Sequence, residues 1–304
     1  MQKKSAVSVV RSGYENVYSN LIRAINLLGG LDIKSGESVV LKINLCDFRP
    51  PETGAITHPL FLEAVLRYLR KNFDRLKIYV VESDARTVLA DQYIKWFGFL
   101  DLMEKWNAKW CNLSKENTTI REIKGRHFKT LGIPNIFENS YFITLPKMKT
   151  NILTKITCCL KNQFGCMPIP TKQVFHPYLD DVIVDVNLAM PPDFCIVDGM
   201  IGMGGVQAPA FGVPIQSRVL VAGRDPVAVD TVCAKIMSLN PLFIGHLRKA
   251  AQSKVGSTKY TLLGEKIKNV KVDFQWSKLE YRIFRVGSFL QKRARNEIRN
   301  KWRV

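Results

Sequence analysis

The sequence has no apolar run near the roughly 20 residues that a membrane-spanning helix needs. Nor does it open on a signal-peptide core, since Ser5 to Val10 is too short and too interrupted. Seven cysteines are present, but no C-x2-C pair and no C-x2-C-x2-C-x3-C run. Their odd number and irregular spacing give no framework for secreted disulfides, so the expected compartment is the cytoplasm. There is no P-loop, no dinucleotide fingerprint, no internal repeat and no low-complexity segment. Histidine is scarce, with four among 304 residues.

Acidic residues are also under-represented. Forty-five Lys and Arg face 26 Asp and Glu, a net charge of +19, which implies an acidic partner. From Trp276 to Val304 nine basic residues stand against two acidic ones, so this segment holds +7 and leaves +12 for the rest. Large apolar residues interleave with that charge, and on a helix Val286, Phe289, Leu290 and Ile298 share a stripe. A basic amphipathic helix of this kind suits an anionic membrane surface, and would attach the protein peripherally to the inner face of the membrane. Docking on the body is the alternative, and nucleic acid ranks below both. The expected division is a body of residues 1–275 and a basic tail of 276–304.

What is there in quantity is apolar: 46% of residues are hydrophobic, enough for a substantial core. Strands are expected at 5–10, 38–44, 76–81, 108–112, 120–123, 141–145, 194–197 and 218–222, with two more near 260–263 and 270–274. Helical spacing marks 14–28, 59–69, 91–106, 179–190, 227–237 and 241–252. Thr57-His58-Pro59 and Asp225-Pro226 are helix-start signals. Alternation of strand and helix predicts an α/β fold, a largely parallel or mixed central sheet with helices packed on it.

The densest chemistry runs from Leu145 to His176: Lys147, Lys149 and Thr150, then Lys155, Lys161, Asn162, Gly165, Lys172 and His176. Strand ends leading into loops are where α/β sheets place ligands. Lys147 and Lys149 flank one residue and project to the same side of an extended chain. Two neighbouring ammonium groups repel unless an anion sits between them. Asn162 and Thr150 add neutral donors, and Gly165 permits close backbone approach. The alternative is a solvated basic loop, although the KNQFG run has no evident packing role. The stretch from Asp198 to Gly205, continuing to Pro209 and Gly212, reads as a glycine-rich loop that could cradle phosphate or simply turn the chain. Asp198 could serve there as a base, a metal ligand or a turn cap.

His58 and His176 each precede a proline in loops beside these segments, where an accessible ring can exchange protons. Two imidazoles on opposite sides of one substrate carbon would suit proton abstraction and return. Cys158, Cys159 and Cys166 lie close in sequence but lack zinc spacing, and buried structural thiols are the expectation.

Several of these motifs occur together and in order: Val40-Leu-Lys42-Ile-Asn44, Thr57-His58-Pro59, Leu145-Pro-Lys147-Met-Lys149-Thr150, Leu160-Lys161-Asn162-Gln-Phe-Gly165-Cys166, His176, Val197-Asp198-Gly199 and Ala222-Gly223-Arg-Asp225-Pro226-Val-Ala228-Val-Asp230. From about Val39 to Gly256 the chain resembles the DUF362 family. The resemblance implies that Lys42, Asn44, His58, Lys147, Lys149, Lys161, Asn162, His176, Asp198, Asp225 and Asp230 occupy the family's polar positions. Many members carry a ferredoxin-like module with cluster-binding cysteines. This sequence lacks that module, so no iron–sulfur cluster is expected from it and its cofactors are unknown. Where the family pattern has a glycine-containing turn after the strand near Val81, Glu82-Ser83-Asp84-Ala85 stands instead.

Two functions are compatible with these features. One is an enzyme acting on, or a protein binding, a small phosphate- or carboxylate-bearing ligand. There Lys42, Asn44, Lys147, Lys149, Thr150, Lys161, Asn162 and Gly165 would bind, and His58, His176 and Asp198 would be catalytic. The other is a non-catalytic binding or assembly protein that docks on anionic membrane or nucleic acid through its basic surface.

Overall fold

The computed structural model describes residues 5–86, 88–205 and 212–274. The expected tail, 276–304, lies outside the described residues, as does Pro209.

The first half alternates strand and helix. It runs β1 (Ser5–Arg11), α1 (Val17–Asn26), β2 (Ser38–Lys42), α2 (Pro59–Asn72), β3 (Lys77–Glu82), α3 (Ala90–Trp96), α4 (Phe99–Lys105) and β4 (Ala108–Asn112). A separate hairpin follows, β5 (Thr118–Glu122) with β6 (Thr130–Pro134). Then come β7 (Ser140–Thr144), β8 (Lys147–Asn151), β9 (Lys155–Thr157), α5 (Cys159–Asn162), α6 (Leu179–Ala189) and β10 (Phe194–Gly204). The described residues close with β11 (Val213–Ile215), β12 (Val219–Gly223), α7 (Pro226–Ile236), α8 (Gly245–Gln252), β13 (Tyr260–Gly264) and α9 (Ile267–Val270).

The central sheet has the order β13-β1-β12-β10-β7-β2-β3-β4. Pairings from β10 through β7, β2 and β3 to β4 are all parallel. On the other side β12 runs antiparallel to both β10 and β1, and β13 lies parallel to β1 at the edge. The fold is therefore α/β with a mostly parallel sheet, as its alternating elements predict. Both faces are covered, and strand alternation decides which side chain meets which layer. Val39 and Leu41 of β2 join the apolar layer that includes α1, α2, α3 and α4. Val40 joins the opposite layer, with α6, α7 and α8. Lys42 follows in the same alternation, which directs a lysine into that second layer.

Four expectations fail, each for a local reason. The segment 91–106 is two short helices, because Gly98 takes a left-handed φ of 69° between them. Residues 270–274 close on α9 and irregular chain rather than a strand. Lys147 to Thr150 is itself a strand, hydrogen-bonded to β9 and β10, and not a loop. Most consequentially, the glycines after Asp198 lie inside β10. A Cβ on Gly202 would stand 2.6 Å from the Phe274 ring and 2.8 Å from Met148 O, and one on Gly199 would stand 2.9 Å from Met148 Cε. These glycines let neighbouring chain pack against the strand; they do not form a phosphate cradle.

Candidate functional site

The parallel strands β2, β3 and β7 end together, at Lys42, Glu82 and Thr144. Polar side chains gather beyond those ends in three connected groups.

The first is built on a buried ion pair. Lys42 Nζ lies 2.8 Å from Glu82 Oε1 and donates to Ile43 O at 2.8 Å. Ser83 N and Leu45 N donate to the two Glu82 oxygens. Gly165 sits over this pair, where a Cβ would fall 2.6 Å from Glu82 Oε1 and 2.7 Å from Lys42 Nζ. Its carbonyl accepts from Ser83 Oγ at 2.6 Å. Lys172 donates to Ser83 Oγ and Asp84 O, and burial lowers its pKa to about 8.

The second group centres on Asp198. Lys147 Nζ lies 2.7 Å from Asp198 Oδ2, with neither side chain exposed. Tyr14 OH accepts from Lys147 at 2.7 Å and donates to Asp198 Oδ1 at 3.0 Å. His58 N and Met200 N donate to the same carboxylate. Burial raises the Tyr14 pKa, and the adjacent carboxylate adds to that; burial lowers that of Lys147, which Asp198 opposes. His58 is not an accessible loop residue. It is the N-cap of α2, because Pro59 occupies the first helical position, and its Nδ1 accepts from Leu60 N. Its ring stacks on Tyr14 with centroids 3.8 Å apart. Burial depresses its pKa, which the Asp198 charge opposes.

The third group has a cation to spare. Lys149 Nζ donates to Asn44 Oδ1 at 2.8 Å and Ala55 O at 2.7 Å, and lies 3.3 Å from Cys46 Sγ. Asn44 donates to Asn162 Oδ1, and Asn162 donates to Thr144 Oγ1 and Lys42 O. Asn162 and Lys161 stand on the single turn α5, whose first amides, Cys159 N and Leu160 N, donate to Asp230 at 2.7 and 3.0 Å. Burial raises the Asp230 pKa to about 6, against the influence of His246. Lys161 is partly exposed and has no hydrogen bond or ion pair among the described residues. Burial lowers its pKa to about 8, with Cys46 opposing and the Lys149 charge adding to the depression. His176 is exposed, and its pKa is lowered by burial and then by the charge of Lys161.

Residues 39–235 match a domain of unknown function, DUF362. The chain belongs to that family. A thylakoid-associated protein of Synechocystis sp. is 27% identical over 271 residues, covering 83% of this chain and 79% of the relative. Among solved structures, the lactate racemase apoprotein of Thermoanaerobacterium thermosaccharolyticum is 16% identical with a TM-score of 0.43, over 77% of this chain and 57% of that one. A Thermotoga maritima protein is 12% identical with a TM-score of 0.40, over 80% and 60%. The chain spans less than two thirds of the length of either solved structure.

The DUF362 polar positions thus separate into distinct roles. Lys42 and Lys147 are each spent on one buried carboxylate, and Lys149 on neutral acceptors. Asp198 already accepts four donors and touches the backbone of His58, not its ring. Thr150 turns away to donate to Gly205 O at 2.7 Å. Gly165 serves packing, and so does Gln163, whose amide reaches Met190 O; in the run that looked unpacked in sequence, Asn162, Gln163 and Phe164 are buried. Asp225 caps α7 through Val227 N and Ala228 N, and Asp230 caps α5. Lys147, Lys149 and Lys161 line neither of two cavities of about 600 and 580 Å³, although Tyr14 and Leu60 lie in the wall of the first. No group of three or more His, Cys, Asp or Glu among the described residues has the arrangement to hold a metal. Cys158, Cys159 and Cys166 are buried free thiols.

Sequence reasoning missed Tyr14 and Glu82 as members of the site. Tyr14 sits 184 residues from Asp198 and Glu82 sits 40 from Lys42, so no spacing rule joins them. The one available signal was an acidic residue at the end of β3, level with the end of a strand carrying a buried lysine.

Proposed function

We propose that the protein binds a small phosphate- or carboxylate-bearing ligand at Lys161, and that His176 exchanges a proton with it. The observation that carries this reading is the difference between Lys161 and its neighbours. Lys42, Lys147 and Lys149 have partners in place, whereas Lys161 offers a partly exposed cation at the end of a parallel sheet, next to a second ammonium. His176 lies within reach of the Lys161 charge, which together with burial lowers its pKa and so favours the form a general base needs. His58 shares the Asp198 cluster, but its helix-capping role assigns it to shaping the site.

The test is thermal shift and calorimetry of the full chain against inorganic phosphate, phosphorylated metabolites and dicarboxylates. At least one class should stabilise the protein, and Lys161→Ala should remove that shift while leaving the unliganded melting temperature near its original value. Full retention of every shift by Lys161→Ala would refute the reading. Lys147→Ala with Lys149→Ala is the weaker test, because both side chains hold the fold.

A second reading is attachment to an anionic membrane through the basic surface. It is favoured by the net charge of +19 and by the thylakoid association of the Synechocystis relative. No helix among the described residues is long and apolar enough to cross a membrane. The two readings separate by salt: multivalent surface attachment weakens steeply with ionic strength, and a compact site much less so.

A further inference from the structure

The 3-10 turn Pro241–Phe243 presents two consecutive large apolar side chains to solvent, Leu242 at 70% and Phe243 at 68% exposure. The β8–β9 hairpin reaches the same place. Its tip carries Leu153, 43% exposed, and Lys155 at the start of β9 donates to Phe243 O at 2.6 Å with its ammonium 5.7 Å from the ring centroid. Leu153, Leu242 and Phe243 are thus exposed apolar side chains on two elements that Lys155 ties together, and are taken together as one prominence. Next to it lies a cavity of about 580 Å³ with an apolar floor of Leu247 and Ala251, the cations Lys235 and Arg248, and no carboxylate in its lining. Lys235 donates to Tyr260 OH, and Arg248 is exposed. The nearby carboxylate of Asp180 lies 3.7 Å from His246 Nδ1.

Phe274, the last described residue, packs on Gly202 and Gly204, and its carbonyl accepts from Gly205 N. Gly205 O in turn accepts from Thr150, on the hairpin whose tip is Leu153. Phe274 is thereby linked through Gly205 to the strand that leads into this hairpin.

We infer that the Leu153–Leu242–Phe243 prominence, with the Lys235–Arg248 cavity beside it, seats the protein on a bilayer containing anionic phospholipid. This rests on the membrane reading above and names the face that serves it. Consecutive exposed apolar side chains enter the interfacial region, while flanking cations meet phosphate; neither feature alone would favour a bilayer over a protein partner.

The experiment is co-sedimentation of the full-length protein with vesicles of phosphatidylcholine alone, or mixed with phosphatidylglycerol. It compares the original sequence, a triple variant Leu153→Ser, Leu242→Ser, Phe243→Ser, and a charge variant Lys235→Gln, Arg248→Gln. All three substituted apolar residues are at the surface, and thermal melting verifies folding. Expected is binding to the mixed vesicles, weakened about tenfold or more in the triple variant, the scale of withdrawing one large apolar side chain from a buried setting. The charge variant should lose preference for mixed over neutral vesicles. If the original protein pellets with neither vesicle, the membrane reading fails and the inference with it. Undiminished binding by the triple variant overturns the inference while leaving membrane attachment to other parts of the chain. Should the triple variant instead abolish a concentration-dependent dimer with no vesicle binding, the face belongs to a second copy and the inference is overturned.

Discussion

Asp198 and Lys161 mark opposite extremes of what a charged residue does in this site. Asp198→Ala would leave Lys147 buried without its counter-charge, and removing one partner of such a pair costs about 3–5 kcal/mol. Chemical denaturation should register that loss. Lys161→Met should behave in the reverse sense. The Lys161 ammonium has a folded pKa of about 8, below its unfolded value, so the cost of keeping it charged is fully present below pH 8. That cost fades as pH rises from 8 toward the ordinary lysine range. Melting curves across pH should therefore show Lys161→Met at least as stable as the original at neutral pH, with the gap closing above pH 8. Anion affinity of the unsubstituted protein should fall as pH passes upward through about 8, because only the ammonium form attracts the ligand. Gly165→Ala belongs to the same scale: its methyl would intrude on both Lys42 and Glu82, and overpacking of this kind costs about 1–3 kcal/mol.

At the scale of elements, the single turn α5 is too short to be stable by itself. It persists because Asp230 of α7 accepts both of its first amides and because Asn162 is tied to β2 and β7. Asp230→Ala should consequently cost about 0.5–2 kcal/mol as a lost cap. It should also reduce small-anion binding measured by calorimetry, since Lys161 rides on that turn. A stability loss with unchanged affinity would show that Lys161 is held by something else. Elements also separate what was legible in the sequence from what was not. Strands such as SVVLK and SYFIT announce themselves as short apolar runs, and Asp225-Pro226 announces α7. β10 announced only its first part, 194–197, because Gly199, Gly202 and Gly204 beyond it have the composition of a loop while their lack of side chains is what admits Met148 and Phe274. The strand β6, TLGIP, was hidden by its glycine and proline in the same way. For the site, the cationic positions were readable as motifs, but their pairing was not. Tertiary contact decides whether a lysine meets a carboxylate or a ligand, and those contacts span tens to hundreds of residues.

For the whole molecule, charge is not spread evenly between inside and outside. Two cations of the site are neutralised internally by Glu82 and Asp198, which leaves the excess of +19 to be borne elsewhere. Accessibility is just as uneven for the seven cysteines: five are buried, Cys111 is intermediate, and Cys46 is exposed beside Lys149. Alkylation of the native protein, followed by mass spectrometry, should modify Cys46 first, and a ligand held at Lys161 should slow that reaction. The sheet order carries a further consequence for how the protein is made. β1 lies between β12 and β13, so Ser8 must find Ala222 and Ser5 must find Tyr260, both made more than 200 residues later. At roughly 5–20 residues per second of synthesis, the opening strand waits on the order of ten to fifty seconds for its neighbours. Tyr14 follows β1 directly, so the hydroxyl that joins Lys147 to Asp198 arrives only when that insertion is complete.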